Sequence, residues 1–275
     1  MESRQRILYV AESMNACAWY RCVTPGRELA ECGYDVRVDI SVTLELASWA
    51  DVVVLQRFHE PYINDVIAFC KHSGKRLVYE LDDDLWNIHP DSGAHAFYSR
   101  PDVLGPIEEA LRAAHVVTTT TPALAERLSS MNRTVVVLPN MLPDQFWPYE
   151  EPVEQREDRV IIGWAGTNTH LPDLKLLVGV MEQLLDRYPA VEFWWAGMRE
   201  VPFRNHPRIR RLEGVDLPDY PELLGNFHVG LAPLVDSVFN RCKSDLKFVE
   251  YARRGIPVVA SRVEAYAGTV RHGET

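Results

Sequence analysis

From Asn240 to Tyr251 the chain reads Asn-Arg-Cys-Lys-Ser-Asp-Leu-Lys-Phe-Val-Glu-Tyr, and Gly255-Ile256-Pro257-Val258-Val259-Ala260-Ser261 follows closely. Ser244 is a good N-cap type and Gly255 a good C-terminal stop, which frames a helix of about three turns. Lys243, Lys247, Glu250 and Arg254 fall at spacings that put them along one face of it, with Lys243 just before its start. Leu246 and Val249 supply part of the opposite, apolar side. Free amides at a helix start together with two lysines make an anion site suited to a diphosphate. Glu250, two turns in, has the chemistry to accept hydrogen bonds from ribose hydroxyls. A solvated surface helix with a Lys–Glu pair fits the same spacing, so the pattern alone leaves both open.

A second group lies earlier. Asp82-Asp83-Asp84 closes an apolar run, and three adjacent carboxylates suit a divalent metal, a polar wall facing an acceptor, or a solvated acidic turn. His59 follows another apolar run and is able to orient or deprotonate a hydroxyl, although a lone loop histidine is commonly structural. Gln56 and Arg57, at the same strand end, have the chemistry to touch an acceptor or a phosphate. Trp164, Trp194 and Trp195 lie in or beside strand-like runs and read as core.

These groups need a scaffold, and the chain supplies an alternating one. Strand patterns fall at Ile7–Ala11, Asp35–Val38, Asp51–Gln56, Arg76–Glu80, His115–Thr119 and Thr134–Leu138. Each is short and apolar on consecutive residues, as strands covered on both faces are. Helix patterns at Pro25–Cys32, Pro61–Lys71, Pro106–Ala113 and Pro122–Ser130 separate them, each with a proline fit for a first turn. Pro139–Asp158, with four prolines and a run of acids, breaks the period and reads as a linker. Alternation then resumes: strands at Arg159–Trp164, Val191–Ala196, Ile209–Leu212, His228–Ala232 and Pro257–Ser261, helices at Pro172–Arg187, Asp219–Gly225 and Asp245–Arg254. This is an α/β chain of two Rossmann-like domains, parallel sheets with helices on both faces and a cleft between the halves. Ligands then belong in the loops after the carboxyl ends of the strands.

Composition narrows the function classes. The 275 residues are 47% hydrophobic and 25% charged, an ordinary balance that excludes disorder, collagen and coiled coil as the main structure. A net charge of −10 argues against a general nucleic-acid backbone binder, whose affinity rests on cations. Residues 1–150 carry 13 basic and 21 acidic side chains, and 151–275 carry 16 and 18, so the second half is the better host for an anion. The five cysteines are scattered, with no Cys-x-x-Cys pair and no zinc spacing. No apolar stretch approaches the ~20 residues of a membrane helix, and a reduced, cytoplasmic location is expected. A dehydrogenase is disfavoured, because the loop after the first strand reads Glu12-Ser13-Met14-Asn15-Ala16-Cys17 rather than Gly-x-Gly-x-x-Gly.

The 240–261 segment resembles the donor-nucleotide motif of the GT-B glycosyltransferases, specifically the large retaining group 1 family, in which a glutamate-bearing helix precedes a glycine and a Pro-Val-Val-Ala-Ser-like strand. Other stretches are similar to the same family. They are Tyr20-Arg21 through Val36, Tyr79-Glu80-Leu81-Asp82-Asp83-Asp84-Leu85-Trp86, Val137-Leu138-Pro139-Asn140, and Ile162-Gly163-Trp164-Ala165-Gly166-Thr167. Two departures stand out. Cys242 occupies the position, eight before Glu250, where many members carry a glutamate that touches the donor sugar, so that contact is either missing or supplied from elsewhere, with Asp236 and Asp245 as candidates. The loop Thr167-Asn168-Thr169-His170 lacks the family's cations before Lys175, which leaves the diphosphate to Arg241, Lys243 and Lys247.

The resemblance implies an acceptor-side domain over residues 1–145, a linker over 146–158 and a nucleotide-sugar donor domain over 159–275. Gly166, Thr167, His170, Asn240, Lys243, Ser244, Lys247 and Glu250 would bind the donor nucleotide and its diphosphate. His59, Arg241 and Lys243 would be catalytic. Asn15, Arg21, Arg57, Asp82 and Asp83 would line the acceptor side. It implies transfer of a sugar from a nucleotide diphosphate sugar to a hydroxyl acceptor with retention, without a metal or other cofactor, and no nucleic-acid partner. A non-catalytic, sugar-nucleotide-binding partner subunit is the alternative that Cys242 favours, and an isomerase of sugar nucleotides is a third. Family members continue beyond the position of Thr275, so the second domain is expected to be incomplete, with an exposed apolar surface covered by a second chain in a homo- or hetero-oligomer.

Overall fold

The computed structural model describes residues 4–148, 159–199 and 201–275. It divides into two compact units: Met1–Trp86 with Phe97–Met141, and Asn87–Ala96 with Leu142–Thr275. Residues 149–158 of the expected linker lie outside the described residues.

Unit 1 is built on a six-stranded parallel sheet: β1 Arg6–Ala11, β2 Asp35–Asp39, β3 Val52–Gln56, β4 Arg76–Glu80, β5 Val116–Thr119 and β6 Val135–Val137, in the order β2-β1-β3-β4-β5-β6. The register aligns Ala11 with Gln56, Gln56 with Glu80, and Glu80 with Thr118. Those side chains therefore share one face at the carboxyl end of the sheet. Leu8, Val10, Val53 and Leu55 are fully buried, each contributing roughly 1.5–3 kcal/mol by leaving water.

Unit 2 repeats the plan with β7 Val160–Ala165, β8 Val191–Ala196, β9 Ile209–Arg211, β10 Val229–Ala232 and β11 Val258–Ala260, all parallel, in the order β11-β10-β7-β8-β9. Trp164, Leu174, Met181, Leu185 and Phe193 form its core on one face of the sheet. The other face is packed so closely that a Cβ on Gly163 would sit 1.9 Å from the Phe227 ring, and one on Gly230 would sit 2.7 Å from the Tyr251 ring. Segment 87–96 packs as part of this unit: Lys175 Nζ donates to Asp91 Oδ2 at 2.6 Å, and Ser92 is buried.

Every strand expected from the sequence is present, within a residue or two at each end. The helices differ more. The expected helix Pro172–Arg187 is two, Leu171–Lys175 and Val178–Arg187, separated by a tight turn in which Leu176 and Leu177 donate back to Asp173 and Leu174. The helix expected from Pro106 begins at Pro101, and Pro106 lies inside it. Pro101 takes the first-turn position that suits proline, and Pro106 costs one backbone bond near the start. Ahead of the helix Thr24–Glu31 runs an unanticipated stretch, a turn of α-helix at Ala16–Ala18 and a π-helical segment at Trp19–Val23.

Candidate functional site

In unit 2 the strand order reverses between β7 and β10, and the loops at their carboxyl ends, 166–170 and 233–245, lie side by side at that point. Open α/β sheets bind ligands at such a reversal. The first loop leaves β7 through Gly166, where a Cβ would lie 2.6 Å from the Trp164 ring. Gly197, at φ +91°, crosses so close that a Cβ there would lie 2.2 Å from Gly166 O. Only glycine fits both places. Thr167 Oγ1 pairs with Thr169 Oγ1 at 3.0 Å, and a short 3-10 turn over Asn168–His170 follows.

The two loops are tied by one buried carboxylate. Asp173 Oδ2 lies 2.8 Å from His170 Nδ1, while its Oδ1 accepts from Val235 N at 2.8 Å and from Asn240 Nδ2 at 2.7 Å. Asn240 Nδ2 also donates to Val235 O, and its Oδ1 is buried with no hydrogen-bond partner among the described residues. Burial drives the His170 pKa down to about 4, with Lys243 and Lys247 adding to the effect against the pull of Asp173. Lys247 Nζ donates to Ala165 O and lies 5.5 Å from the Trp164 ring centre. Burial lowers its pKa too. Lys243 Nζ sits 4.5 Å over the Phe239 ring.

Thus the structure brings Gly166, Thr167, His170, Asn240, Lys243 and Lys247 together around the ends of β7 and β10. Ser244 is not the N-cap: the helix is Leu246–Arg253, preceded by Asp245, whose carbonyl accepts from Phe248 N and Val249 N. Arg241 is turned outward and paired with Asp236 at 2.7 and 3.0 Å. Glu250 is buried, and its Oε2 accepts from the Tyr220 hydroxyl at 3.5 Å. Cys242 is buried as well, so its thiol fills core. Asp173 and Tyr220 escaped the sequence reading. A His-x-x-Asp spacing at a helix start was the available sign for Asp173.

Unit 1 gathers a polar cluster at the ends of β1, β3 and β4. Arg57 holds φ +49°, left-handed for a residue with a Cβ and so costing about 1–2 kcal/mol. Its guanidinium is buried between Asp82 at 2.6 Å and Asp83 at 2.5 Å. Asp84 pairs instead with Arg127. The three adjacent carboxylates thus diverge onto two arginines, and among the described residues no group of three His, Cys, Asp or Glu is arranged to hold a metal ion. His59 Nδ1 is 3.0 Å from Arg57 O and 3.8 Å from Glu12 Oε1, and Tyr98 OH donates to Glu12 Oε1 at 2.9 Å. Donation from Nδ1 to the carbonyl leaves the His59 Nε2 lone pair available to a hydroxyl.

Arg21 lies below this cluster. It makes a two-pronged, buried pair with Glu80 at 2.7 and 3.1 Å and donates to Leu138 O and Asn140 Oδ1 nearer the surface. Asn15 caps the turn at Ala16–Ala18 by accepting from Ala18 N at 3.1 Å. Arg21 and Asn15 therefore hold structure, whereas Arg57, Asp82, Asp83 and His59 stand together.

No protein-family profile and no curated protein matches the chain. Solved structures do. The catalytic domain of starch synthase IV from Arabidopsis thaliana, bound to ADP and acarbose, superposes with a TM-score of 0.66 at 11% identity, covering 99% of this chain and 86% of that one. HepE from Anabaena, in complex with UDP-glucose, gives 0.66 at 14% identity, over 98% and 84%. An alpha-glucosyltransferase in complex with UDP and a 13-mer DNA gives 0.63 at 13% identity, over 94% and 80%. Among the described residues no helix is long and apolar enough to cross a membrane. With two parallel-sheet α/β units and neighbours of this kind, the chain has the GT-B fold.

Proposed function

We propose that the chain is a glycosyltransferase that binds a nucleoside diphosphate sugar on unit 2 and passes the sugar, with retention, to a hydroxyl acceptor recognised by unit 1. The observation that carries this is the meeting of Lys243, Lys247 and the His170–Asp173–Asn240 network at the β7/β10 reversal, where a parallel sheet takes its ligand. The two ammonium groups, Lys243 and Lys247, stabilise the charge that grows on a departing diphosphate. In the transfer the anomeric carbon–oxygen bond to the diphosphate breaks and a new one to the acceptor oxygen forms. The hydroxyl proton leaves with the diphosphate oxygen or through a base such as His59. The chemistry runs on these side chains without a metal, and Glu250 positions the nucleotide. Arg241, paired with Asp236, is assigned no part in it.

A thermal-shift panel of nucleoside diphosphates and their sugar conjugates tests the proposal, because a ligand bound only by the folded chain raises its melting temperature. At least one nucleoside diphosphate stabilises the wild type, and Lys243→Ala weakens the effect. A panel with no shift refutes the donor site. Cys242, buried where the resembled family has a donor-contacting glutamate, favours a second function, a sugar-nucleotide-binding module without turnover. A mass-spectrometric product screen with a stabilising donor and a crude glycan and lipid extract separates the two.

A further inference from the structure

Among the described residues, the His170–Asp173–Asn240 network at the ends of β7 and β10 leaves two acceptor positions open, while the buried Trp164 Nε1 beside it is an unfilled donor. A carboxylate only accepts, so the 2.8 Å contact between Asp173 Oδ2 and His170 Nδ1 places the proton on Nδ1 and leaves Nε2 as a lone pair. That nitrogen has no protein partner among the described residues. The ring keeps 13% of its side chain exposed while Asp173 keeps 2%, so the edge left to a ligand is the one opposite the carboxylate. Asn240 Oδ1, the other unfilled position of the network, is also an acceptor. A diphosphate presents only acceptors and gains nothing from either atom, whereas a hydroxyl donates.

We propose that Asp173 is a positioning residue that holds His170 as an acceptor for a hydroxyl of the sugar nucleotide, on its ribose or its transferred sugar, while Lys243 and Lys247 take the diphosphate. This rests on unit 2 being the sugar-nucleotide site. Two features support it. Burial and the neighbouring lysines keep the imidazole uncharged at neutral pH, so Nε2 does not become a phosphate donor. Asp173 also bonds Val235 N and Asn240 Nδ2, which fixes the β10 loop relative to the ring. Other features of the molecule lead less far. The groove lined by Asp84, Trp86, Glu108, Leu124 and Arg127 carries no unfilled buried group, and the cation stack of Arg159 and Arg210 on Trp194 is closed by Glu192.

The test is calorimetric titration with inorganic pyrophosphate, with UDP, ADP and GDP, and with their glucose conjugates. His170→Ala leaves pyrophosphate affinity within about twofold and weakens a hydroxyl-bearing ligand about tenfold, the loss expected for one buried hydrogen bond. A loss already present with the nucleoside diphosphate identifies the ribose, and one confined to the conjugate identifies the sugar. Asp173→Asn gives the same selective loss, and the double variant is no worse than His170→Ala. Proton–nitrogen correlation spectra, with His170 assigned from its absence in the alanine variant, show an Nδ1–H tautomer in the wild type that is lost in Asp173→Asn. Equal weakening of pyrophosphate, an Nε2–H tautomer in the wild type, or no effect of His170→Ala on any ligand overturns the proposal while leaving the donor site standing. A wild type that binds none of these ligands overturns both.

Discussion

Removing Arg21 tests how unit 1 is held together and whether this arginine is structural. Its guanidinium makes two hydrogen bonds to Glu80 and two more to Leu138 O and Asn140 Oδ1, and both partners of the ion pair are nearly inaccessible, at 5% and 3% of side-chain surface. Arg21→Met keeps much of the volume and strands the carboxylate in the interior, which costs about 3–5 kcal/mol. Burial already pushes the Glu80 pKa up against the pull of Arg21 and Thr118. Without Arg21 it rises further, so the carboxyl takes a proton more readily in the folded than in the unfolded chain. The defect is then largest near pH 8 and shrinks as pH falls and Glu80 is neutralised in place. Glu80→Gln added to Arg21→Met removes the stranded charge and recovers part of the loss, with a coupling of about 2 kcal/mol. Urea unfolding followed by tryptophan fluorescence at pH 5 and pH 8 reads all four forms. Additivity of the two substitutions within about 0.5 kcal/mol, or a defect of equal size at both pH values, refutes the reasoning.

Gly163→Ala drives a methyl into the Phe227 ring and should destabilise by more than the ~1–3 kcal/mol usual for overpacking. Gly179→Ala, in the helix Val178–Arg187 with nothing within 4 Å, should instead raise the melting temperature by the equivalent of up to ~1 kcal/mol. His170 ties stability to acid: its pKa near 4 in the fold lies below the ordinary 6.5, so the unfolded chain binds the proton more tightly. Stability from this group is complete above pH 6.5 and falls by about 3 kcal/mol on acidification to pH 4. His170→Gln should flatten the stability–pH curve in that window, and an unchanged slope would count against the burial of the ring. His59→Gln should lower turnover of a stabilising donor with little effect on nucleoside diphosphate affinity, checked by comparing initial rates with calorimetry.

The central strands were legible because they are apolar runs covered on both faces, a pattern set by burial rather than by distant partners, whereas the edge strands Asp35–Asp39 and Ile209–Arg211 carry charges and stay partly open. The linker proline cluster and the resumption at Arg159 marked two sheets for the same reason. Helix detail was less legible. The break at Leu176–Leu177 leaves the apolar period almost intact, and Pro106 looks like a helix start although Pro101 five residues earlier is the true one. At the site, residue type and helical spacing pointed to Lys243 and Lys247 and the family resemblance to His170 and Asn240, and the four do meet. Side-chain direction was not legible. Arg21 and Glu80 are 59 residues apart, and only the β4 register shows that the arginine is consumed by a buried carboxylate. Arg241 has the right type and spacing, but Asp236 five residues back takes it. Asp173 looked like an ordinary first-turn acid, because its partners Val235 and Asn240 lie more than sixty residues away.

The most direct test of the central claim, a nucleoside diphosphate bound at the carboxyl ends of β7 and β10, is hydrogen–deuterium exchange with and without a saturating nucleoside diphosphate or its glucose conjugate. Protection is predicted in peptides covering residues 165–175 and 233–250, and its loss in Lys247→Ala. Unchanged exchange in both stretches, or protection confined to unit 1, would contradict the account.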